Sequence, residues 1–450
     1  MEPLDTTPPE SFDRAWFGTL GARVRRALEG DPADALARVL TRGGDIGLGE
    51  ASTADVDHLV RAGLVAVRGG RAYALARVSA WDTLLYLHDA ARNESEQDSV
   101  YGVGPNAKAL LRMTPRMTSG TALDVGCGQG VHAFAAARAG AASVGTDVSR
   151  RAVHLARLGA LLNGLDGATF RCGALFEPVA GARFDLVMCN APFVFGETRH
   201  VRSGGGAGAG DEFTHALLRE MPARLAPGGW GVVLCNWEHE RDDDWHAPLY
   251  EDLACAPCDA WCVRLRTSRV DDVQARWFTD SNDPDVRADE GDAESLRRWR
   301  AHLGGRDRRL SMGFVFIRRR ERGMGWFRAD VQRLGPGDAY AGDQARRIME
   351  GETLLRGLHA PEEILDVVFA PAVDLREEPG EGGLTYVEQA RGLRFRMALE
   401  PPVRAVLAGF DGVRTAREVI RGVLGADGGP HAARVVLELV RRGFLLVPQA

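Results

Sequence analysis

This 450-residue sequence has almost no lysine, no long apolar run and an odd number of cysteines. Lys108 is the only lysine among the 56 basic residues, so nearly all positive charge comes from arginine. No apolar run approaches the roughly 18 residues that suggest a membrane-spanning helix. The first residues also lack the basic and apolar regions of a secretory signal. We therefore expect a cytoplasmic protein that does not cross a membrane.

The seven cysteines are an odd number, and most of them lie in apolar, strand-like segments. This usage is typical of reduced thiols in the cytoplasm. Cys255, Cys258 and Cys262 have a spacing that suggests metal ligands, but no fourth ligand follows at a recognisable distance. The same segment, "DAWCVRL", is also typical of a buried strand. We favour that interpretation and predict no metal.

The length and composition predict a globular protein of several domains. With 45% hydrophobic and 26% charged residues, the chain has the composition of a protein that buries a core. We expect an N-terminal domain over residues 1–79, a central domain over 80–325 and a C-terminal accessory domain over 326–450. The net charge of −6 disfavours a nucleic-acid binder that depends on charge alone.

Both flanking segments have the element order of a small winged-helix module. From about residue 34 there are two helical stretches, the second starting at Ser52-Thr53, and then two strands joined by a turn at residues 68–71. Residues 401–448 show three helical stretches and a final strand. DNA binding is one interpretation; a lid, a homodimer contact or a peptide-docking module is the other. The candidate recognition helices are not especially basic, which disfavours DNA binding.

Between residues 80 and 325, apolar strand-like segments alternate with helix-like segments. Seven strands are predicted, the first around "GTALDVGC" and the last around "MGFVFIRRR". Continuous apolar strands separated by helices of about 10–15 residues are typical of a doubly wound, mostly parallel sheet. We therefore predict an α/β fold built on a seven-stranded sheet.

A glycine-rich loop follows the first predicted strand, in "DVGCGQG" at residues 124–130. Glycines let the backbone turn tightly and approach a ligand without hindrance from Cβ. A dinucleotide fingerprint needs G-x-G-x-x-G, whereas Val131 follows here and leaves G-x-G-x-G, which disfavours an oxidoreductase. Asp147 ends the second strand about twenty residues later, where an acidic side chain binds ribose hydroxyls.

Together these residues resemble the class I S-adenosylmethionine-dependent methyltransferases, over roughly residues 100–320. The resemblance implies the fold of that family and S-adenosylmethionine as the cofactor. In the family, the residue that matches Asp124 helps to place the methionine moiety, and the one that matches Asp147 holds the ribose. The glycines that form the cofactor loop match Gly126, Gly128 and Gly130.

The segment "CGALFEPVAGARFDLVMCNAPF" narrows this resemblance. It is similar to a run, ending in N-P-P-F, that the release-factor glutamine methyltransferases share with the ribosomal guanine-N2 enzymes. Ala174, followed by Leu175, stands where the family has an acid that faces the adenine amino group, which implies one hydrogen bond fewer. Ala191 stands where the family has the first proline. Ala174, Leu175 and Asn190 are still expected beside the cofactor.

The end of this run predicts where the methyl acceptor binds. An amide or nucleobase nitrogen is a poor nucleophile because its lone pair is delocalised, so placement and hydrogen bonds from its N–H groups promote attack. In the family, the asparagine oxygen and the next carbonyl accept those bonds, and the aromatic ring stacks on the acceptor. The resemblance implies these roles for Asn190, Ala191 and Phe193. Alanine keeps the carbonyl, and Pro192 still restricts the turn. The alternative is that Asn190 only caps a turn.

Three further segments are candidates for the acceptor site. Trp237, Glu238 and the acids at 242–244 follow the fifth strand at the ligand-binding edge of the sheet, although a solvated charge run is the commoner explanation. The glycine-rich loop 204–210 is either a lid or a plain connection. The arginine-rich segment 297–322 either forms a basic stripe for RNA or is neutralised by the acidic block before it.

The resemblance and the residues thus predict an N-methyltransferase that uses S-adenosylmethionine and no metal. A small molecule or a modified peptide is the favoured acceptor. An RNA nucleobase (guanine-N2 or adenine-N6) and a protein glutamine are the alternatives. A hypothesis of another class is a catalytically silent regulator that senses the cofactor and binds DNA through its flanks.

Overall fold

The computed structural model describes residues 12–30, 33–90, 99–192, 211–269, 309–337, 339–426 and 428–448. The helices in these ranges are α1 (Arg14–Leu28), α2 (Ala35–Arg42), α3 (Thr53–Arg61), α4 (Pro105–Met113), α5 (Val131–Ala139), α6 (Arg150–Asn163), α7 (Glu212–Arg224), α8 (Ala247–Leu253), α9 (Gly342–Gly357), α10 (Pro401–Gly409), α11 (Ala416–Leu424) and α12 (Gly429–Arg441). None of them is long and apolar enough to cross a membrane.

The strands in the same ranges belong to one large sheet and several small ones. They are β1 (Asp45–Gly47), β2 (Val65–Arg68), β3 (Arg71–Ala74), β4 (Ala76–Trp81), β5 (Leu84–Asp89), β6 (Thr121–Val125), β7 (Ala142–Asp147), β8 (Ala168–Cys172), β9 (Phe184–Asn190), β10 (Leu225–His239), β11 (Cys258–Arg269), β12 (Arg309–Arg319), β13 (Phe327–Val331), β14 (Ala370–Pro371), β15 (Leu375–Pro379), β16 (Thr385–Gln389), β17 (Arg396–Leu399) and β18 (Leu445–Leu446).

The large sheet has the strand order β13-β11-β12-β10-β9-β6-β7-β8. Strands β6 to β10 pair in parallel, and β12 runs antiparallel between β10 and β11. The prediction of a mostly parallel α/β sheet is confirmed. The predicted number of seven strands is wrong, because the described residues contain an eighth strand, β13, beside β11. None of the residues of β13 is fully buried, so this edge strand lacks the continuous apolar run by which the others were predicted.

Helices cover both faces of the sheet and give each face its own core. Leu186 and Met188 of β9 pack in a cluster that also contains residues of α4 and α5. The alternate residues of the same strand, Val187 and Cys189, pack in a second cluster with residues of α7 and α8. Alternate residues of a strand point to opposite faces, so burial of both sets explains why these strands are continuously apolar.

The N-terminal elements follow the order α1, α2, β1, α3, β2, β3, with a small sheet of order β1-β3-β2. Helix α3 begins at Thr53 as predicted, although Ser52 makes no side-chain capping hydrogen bond. Helix α1 was not predicted. It packs on α6 so closely that a Cβ at Gly21 would lie 2.2 Å from the carbonyl oxygen of Leu162. That these elements form a winged helix stays a prediction.

The C-terminal helices α10, α11 and α12 and the strand β18 lie where they were predicted. Helix α9 and the sheet β15-β16-β17 were not predicted. One face of the large sheet shares its core with this region, since Trp261 and Phe316 pack in the same cluster as Phe395 and Phe444. The winged-helix assignment and the division at residues 79 and 325 stay predictions; the hairpin β4–β5 spans the first boundary, and β13 joins the large sheet beyond the second.

Candidate functional site

The glycine loop turns directly after β6 with three left-handed glycines. The φ angles of Gly126, Gly128 and Gly130 are 68°, 52° and 90°, which other residues adopt only at a cost. A Cβ at Gly126 or Gly128 would meet nothing within 4 Å, whereas a Cβ at Gly130 would lie 2.9 Å from the ring of Phe134. Two glycines therefore border open space that a ligand can enter, and the third permits close packing of α5.

Asp147 lies at the carboxyl end of β7 and holds this loop. Its Oδ2 accepts a hydrogen bond from the Gly128 amide (2.9 Å), and its Oδ1 accepts one from the Ser149 amide (2.9 Å). The clamp on the loop is a role that the sequence did not reveal, because it depends on two strands lying side by side.

Asp124 lies behind the loop, not at its surface. It is 1% exposed, and its carboxylate accepts hydrogen bonds from the Ala133 amide (3.2 Å) and lies 3.3 Å from Nδ1 of His132. The other ring nitrogen of His132 lies 3.2 Å from the carbonyl oxygen of Ala107 in α4. Asp124 thus ties the first turn of α5 to β6. A contact with the methionine moiety remains a prediction.

The turn after β8 contains Ala174 and Leu175, the residues expected near an adenine. Leu175 has a φ of 45°, an unusual value for a non-glycine residue, and its carbonyl accepts a hydrogen bond from Oγ1 of Thr146 (3.0 Å). Strained residues cluster at ligand sites, so the geometry agrees with a binding turn. Ala174 has no acidic side chain, but its amide lies 3.4 Å from Oε2 of Glu177, which places an exposed carboxylate in the same turn.

Asn190 ends β9 at the same edge of the sheet as the glycine loop. Its side-chain oxygen Oδ1 is buried and has no hydrogen-bond partner among the described residues. Ala191 is buried, and its amide donates to the carbonyl of Leu234 (2.9 Å), which fixes the backbone next to Asn190. Pro192 is partly buried. Phe193 and the loop 204–210 lie outside the described residues.

Trp237 has a packing role in the core. It is fully buried, and its Nε1 donates a hydrogen bond to the carbonyl of Trp245 (2.8 Å). The predicted contact between Trp237 and a substrate is therefore replaced by this role, since the ring packs in the core with residues of α7 and α8. Glu238 is partly buried, and its amide donates to Oδ2 of Asp211 (2.7 Å).

The acids that follow β10 are paired with arginines. Asp242 lies 2.6 Å from Nη1 of Arg264, and Asp243 accepts from Nε of Arg241 (3.0 Å). These arginines lower the pKa of both carboxyl groups. The pairing of these two acids agrees with a charge run at the surface and offsets part of the negative charge on which a cationic acceptor would depend. Residues 297–308 of the arginine-rich segment lie outside the described residues.

His215 of α7 joins three elements near this edge. Its Nε2 lies 3.0 Å from Oδ2 of Asp211, and its Nδ1 contacts the carboxylate of Asp252 in α8. The hydrogen bonds to Asp211 and Asp252 raise the pKa of His215 to about 10, so the ring is charged at neutral pH. Because Asp211 also binds the Glu238 amide, the cluster fixes α7 and α8 against the end of β10. No sequence motif indicated it.

Cys258 and Cys262 belong to β11 and are buried in the core of the sheet. Burial raises the pKa of the Cys258 thiol to about 12, so the group is protonated and a poor metal ligand. Cys255 is exposed before the strand. Within the described part of the chain, no three His, Cys, Asp or Glu side chains group as metal ligands do.

One family model and several known proteins are similar to parts of this chain. Residues 99–240 match the family model described as Methyltransferase small domain. The chain is 33% identical over 127 residues to the release factor glutamine methyltransferase of Xylella fastidiosa (strain Temecula1), which covers 26% of this chain and 46% of that protein. It is 37% identical over 165 residues to the ribosomal RNA small subunit methyltransferase C of Alcanivorax borkumensis, which covers 36% of this chain and 47% of that protein.

The chain therefore spans about half the length of the curated relatives that it matches. Among solved structures, it is similar to a 16S rRNA methyltransferase of T. thermophilus in complex with AdoMet and guanosine. That match has 16% sequence identity and a TM-score of 0.31, and it covers 70% of this chain and 71% of the other.

Proposed function

We propose that this protein is an S-adenosylmethionine-dependent N-methyltransferase, because residues 99–240 match the family model described as Methyltransferase small domain. The matched residues contain the glycine loop, Asp147 and Asn190. The relatives are named for a release factor glutamine and for ribosomal RNA. The acceptor is accordingly a planar amino or amide nitrogen. The seven free thiols fit the reducing cytoplasm.

The cofactor fits the residues around the glycine loop. The open space beside Gly126 and Gly128 accommodates its methionine end without a Cβ in the way. Asp147 lies at the end of the second strand, where an acidic side chain would hold the ribose hydroxyls, and the turn at Ala174 and Leu175 would border the adenine. When bound, S-adenosylmethionine supplies a methyl group that is already activated on a sulfonium.

The chain's own residues then have to hold the acceptor nitrogen in line with that methyl group. Asn190 Oδ1 accepts one N–H of the acceptor, and the Ala191 carbonyl accepts the other. Both bonds favour the positive charge that builds on the nitrogen as it attacks. Pro192 restricts the conformation of Ala191, and Phe193 supplies a stacking face.

A single observation carries this proposal: Asn190 Oδ1 is buried, at the edge of the sheet where the glycine loop turns, and has no hydrogen-bond partner among the residues that the structure describes. A buried acceptor without a donor costs about 1–3 kcal/mol, and the large majority of buried side-chain polar atoms have a partner. An N–H group of the methyl acceptor supplies the missing donor. Among the described residues, no cap or turn satisfies this oxygen.

A small molecule or a modified peptide remains the acceptor that we propose first, and RNA or a protein glutamine second. The experiment is to incubate the purified chain with methyl-labelled cofactor and size-fractionated lysate, and then to find which fraction gains label. Label in small molecules or peptides supports the first acceptor class, and label in RNA or intact protein supports the second. Tight, cofactor-dependent DNA binding with no labelled fraction contradicts an enzyme and supports a regulator.

A further inference from the structure

Asn236 is a second buried asparagine whose side-chain oxygen lacks a partner. It lies near the end of β10 and is 5% exposed. Its Oδ1 makes no hydrogen bond within the described part of the chain. Because buried polar atoms are nearly always hydrogen-bonded, an exception points to a ligand or water that belongs there. No part of the proposed mechanism uses this oxygen.

The register of β9 and β10 brings Asn236 to the same side of the sheet as Asn190. The strands are parallel, with Asn190 opposite Leu234. Leu234 and Met188 pack in the same core cluster, and alternate residues of a strand share a face. Asn236 therefore shares the face of Leu234, and Asn190 shares the face of Met188. The two carboxamides are diagonal neighbours at the edge where ligands of such folds bind.

A structural asparagine in the same chain differs clearly from Asn236. Oδ1 of Asn163 accepts from the Leu85 amide (2.9 Å) and from Nη2 of Arg25 (2.9 Å). Nδ2 of Asn163 donates to the carbonyls of Leu85 (2.7 Å) and Gly159 (2.8 Å). All four hydrogen-bonding positions of that carboxamide are used within the protein. A purely structural asparagine would be expected to have its side-chain oxygen hydrogen-bonded in the same way, whereas the oxygen of Asn236 has no such bond among the described residues.

We propose that Asn236 is a specificity-determining residue that accepts a hydrogen bond from a second N–H group of the methyl acceptor. The inference rests on the function proposed above, in which the reacting nitrogen gives its own N–H groups to Asn190 and the Ala191 carbonyl. For Asn236 to accept a hydrogen bond as well, the methyl acceptor needs an N–H on an atom next to the carbon that bears the reacting NH₂ group, as in a cyclic amidine. A carboxamide has an oxygen there and a 6-aminopurine has a ring nitrogen acceptor, so neither satisfies Asn236.

Two nucleosides that differ at this edge test the proposal. Guanosine carries an N–H next to its amino group, whereas 2-aminopurine riboside has an unprotonated ring nitrogen at that position. Each would be titrated into the purified full chain saturated with S-adenosylhomocysteine. We expect the wild type to bind guanosine about tenfold more tightly, the effect of one buried acceptor left unpaired.

Variants separate recognition from structure. Asn236→Leu removes the acceptor at similar volume and should bring the ratio of the two Kd values near one. Asn236→Asp keeps an oxygen acceptor and should keep the preference for guanosine. Cys235→Ala is the matched control, because Cys235 is the neighbouring residue and packs on the opposite face; it should keep the wild-type ratio.

The proposal is overturned if Asn236→Leu keeps the wild-type ratio, or if the wild type binds both nucleosides equally or neither of them. Methyl transfer that depends on Asn190 in a protein without the guanosine preference would overturn this inference and leave the proposed function standing. A guanosine preference that depends on Asn236 in a protein that methylates nothing would support recognition and contradict the enzyme.

Discussion

Alanine substitutions at two positions of the glycine loop should differ in their main effect, one on cofactor binding and the other on stability. Gly128 and Gly130 both have left-handed backbone conformations, with φ of 52° and 90°. A Cβ at Gly128 meets nothing within 4 Å, whereas a Cβ at Gly130 lies 2.9 Å from Phe134 and 3.2 Å from Phe170. We expect Gly128→Ala to weaken cofactor binding with a small loss of stability. We expect Gly130→Ala to lower stability much more.

The magnitudes follow from backbone strain and packing. A left-handed conformation costs a non-glycine residue about 1–2 kcal/mol, and this cost applies to both variants. Overpacking of a core adds about 1–3 kcal/mol, so Gly130→Ala should lose about 2–5 kcal/mol in total. The methyl group of Gly128→Ala occupies space proposed for the cofactor. Its Kd for S-adenosylmethionine should rise at least about tenfold, equivalent to about 1.4 kcal/mol.

Urea unfolding and equilibrium dialysis with S-adenosylmethionine measure the two effects separately. The expected pattern is a larger fall in the unfolding midpoint for Gly130→Ala than for Gly128→Ala, together with a raised Kd for Gly128→Ala. Equal midpoints for the two variants would contradict the packing of Gly130 against Phe134. An unchanged Kd in Gly128→Ala would refute the assignment of this loop to the cofactor.

Two further substitutions test the packing of α1 and the charged cluster on α7. Gly21→Ala should destabilise the chain by about 1–3 kcal/mol, because its Cβ would meet a carbonyl oxygen of α6 at 2.2 Å. The control is Gly18→Ala on the same helix, which has open space around it and should stabilise the chain by about 0.5–1 kcal/mol. Equal unfolding midpoints for the two variants would refute the contact between α1 and α6. The pKa of His215 is about 10 in the folded state, against an ordinary value of 6.5. Its pairing with Asp211 and Asp252 therefore stabilises the fold fully below pH 6.5, and this stabilisation is lost as the pH rises toward 10. The stability gap between wild type and His215→Gln should therefore be largest below pH 6.5 and shrink by pH 10 in urea titrations; a gap that grows with pH would contradict a charged ring.

The parts of the fold that could be predicted are those with local sequence signals. Most predicted strands of the large sheet have apolar runs, and helices α5 and α6 between them end at Gly140 and Gly164. The glycine loop and Asp147 were predicted for the same reason, since both follow strand ends at a characteristic spacing. Asn190 was predicted from its motif, and the structure adds that its side-chain oxygen is buried with no partner within the described ranges, which the motif alone does not show.

The features that could not be predicted depend on contacts between distant segments. Strand β13 is half-exposed and has no apolar run, so only its pairing with β11 reveals it. Trp237 follows a strand at the ligand-binding edge, but its side chain packs inward against Trp245. Asn236 had a signal that was available, a polar residue in step with Val232 and Leu234 along an apolar strand. Its meaning depends on the register with Asn190.

The rate of methyl transfer by Asn190→Ala tests the central claim most directly. The assay uses saturating methyl-labelled cofactor and the lysate fraction that the wild type labels, with cofactor Kd measured in parallel. We predict a loss of about 100-fold or more with a nearly unchanged Kd. The neighbouring Cys189→Ala, which alters the opposite face of β9, should transfer at close to the wild-type rate. Transfer by Asn190→Ala at the wild-type rate would contradict the assignment of this asparagine to the acceptor site.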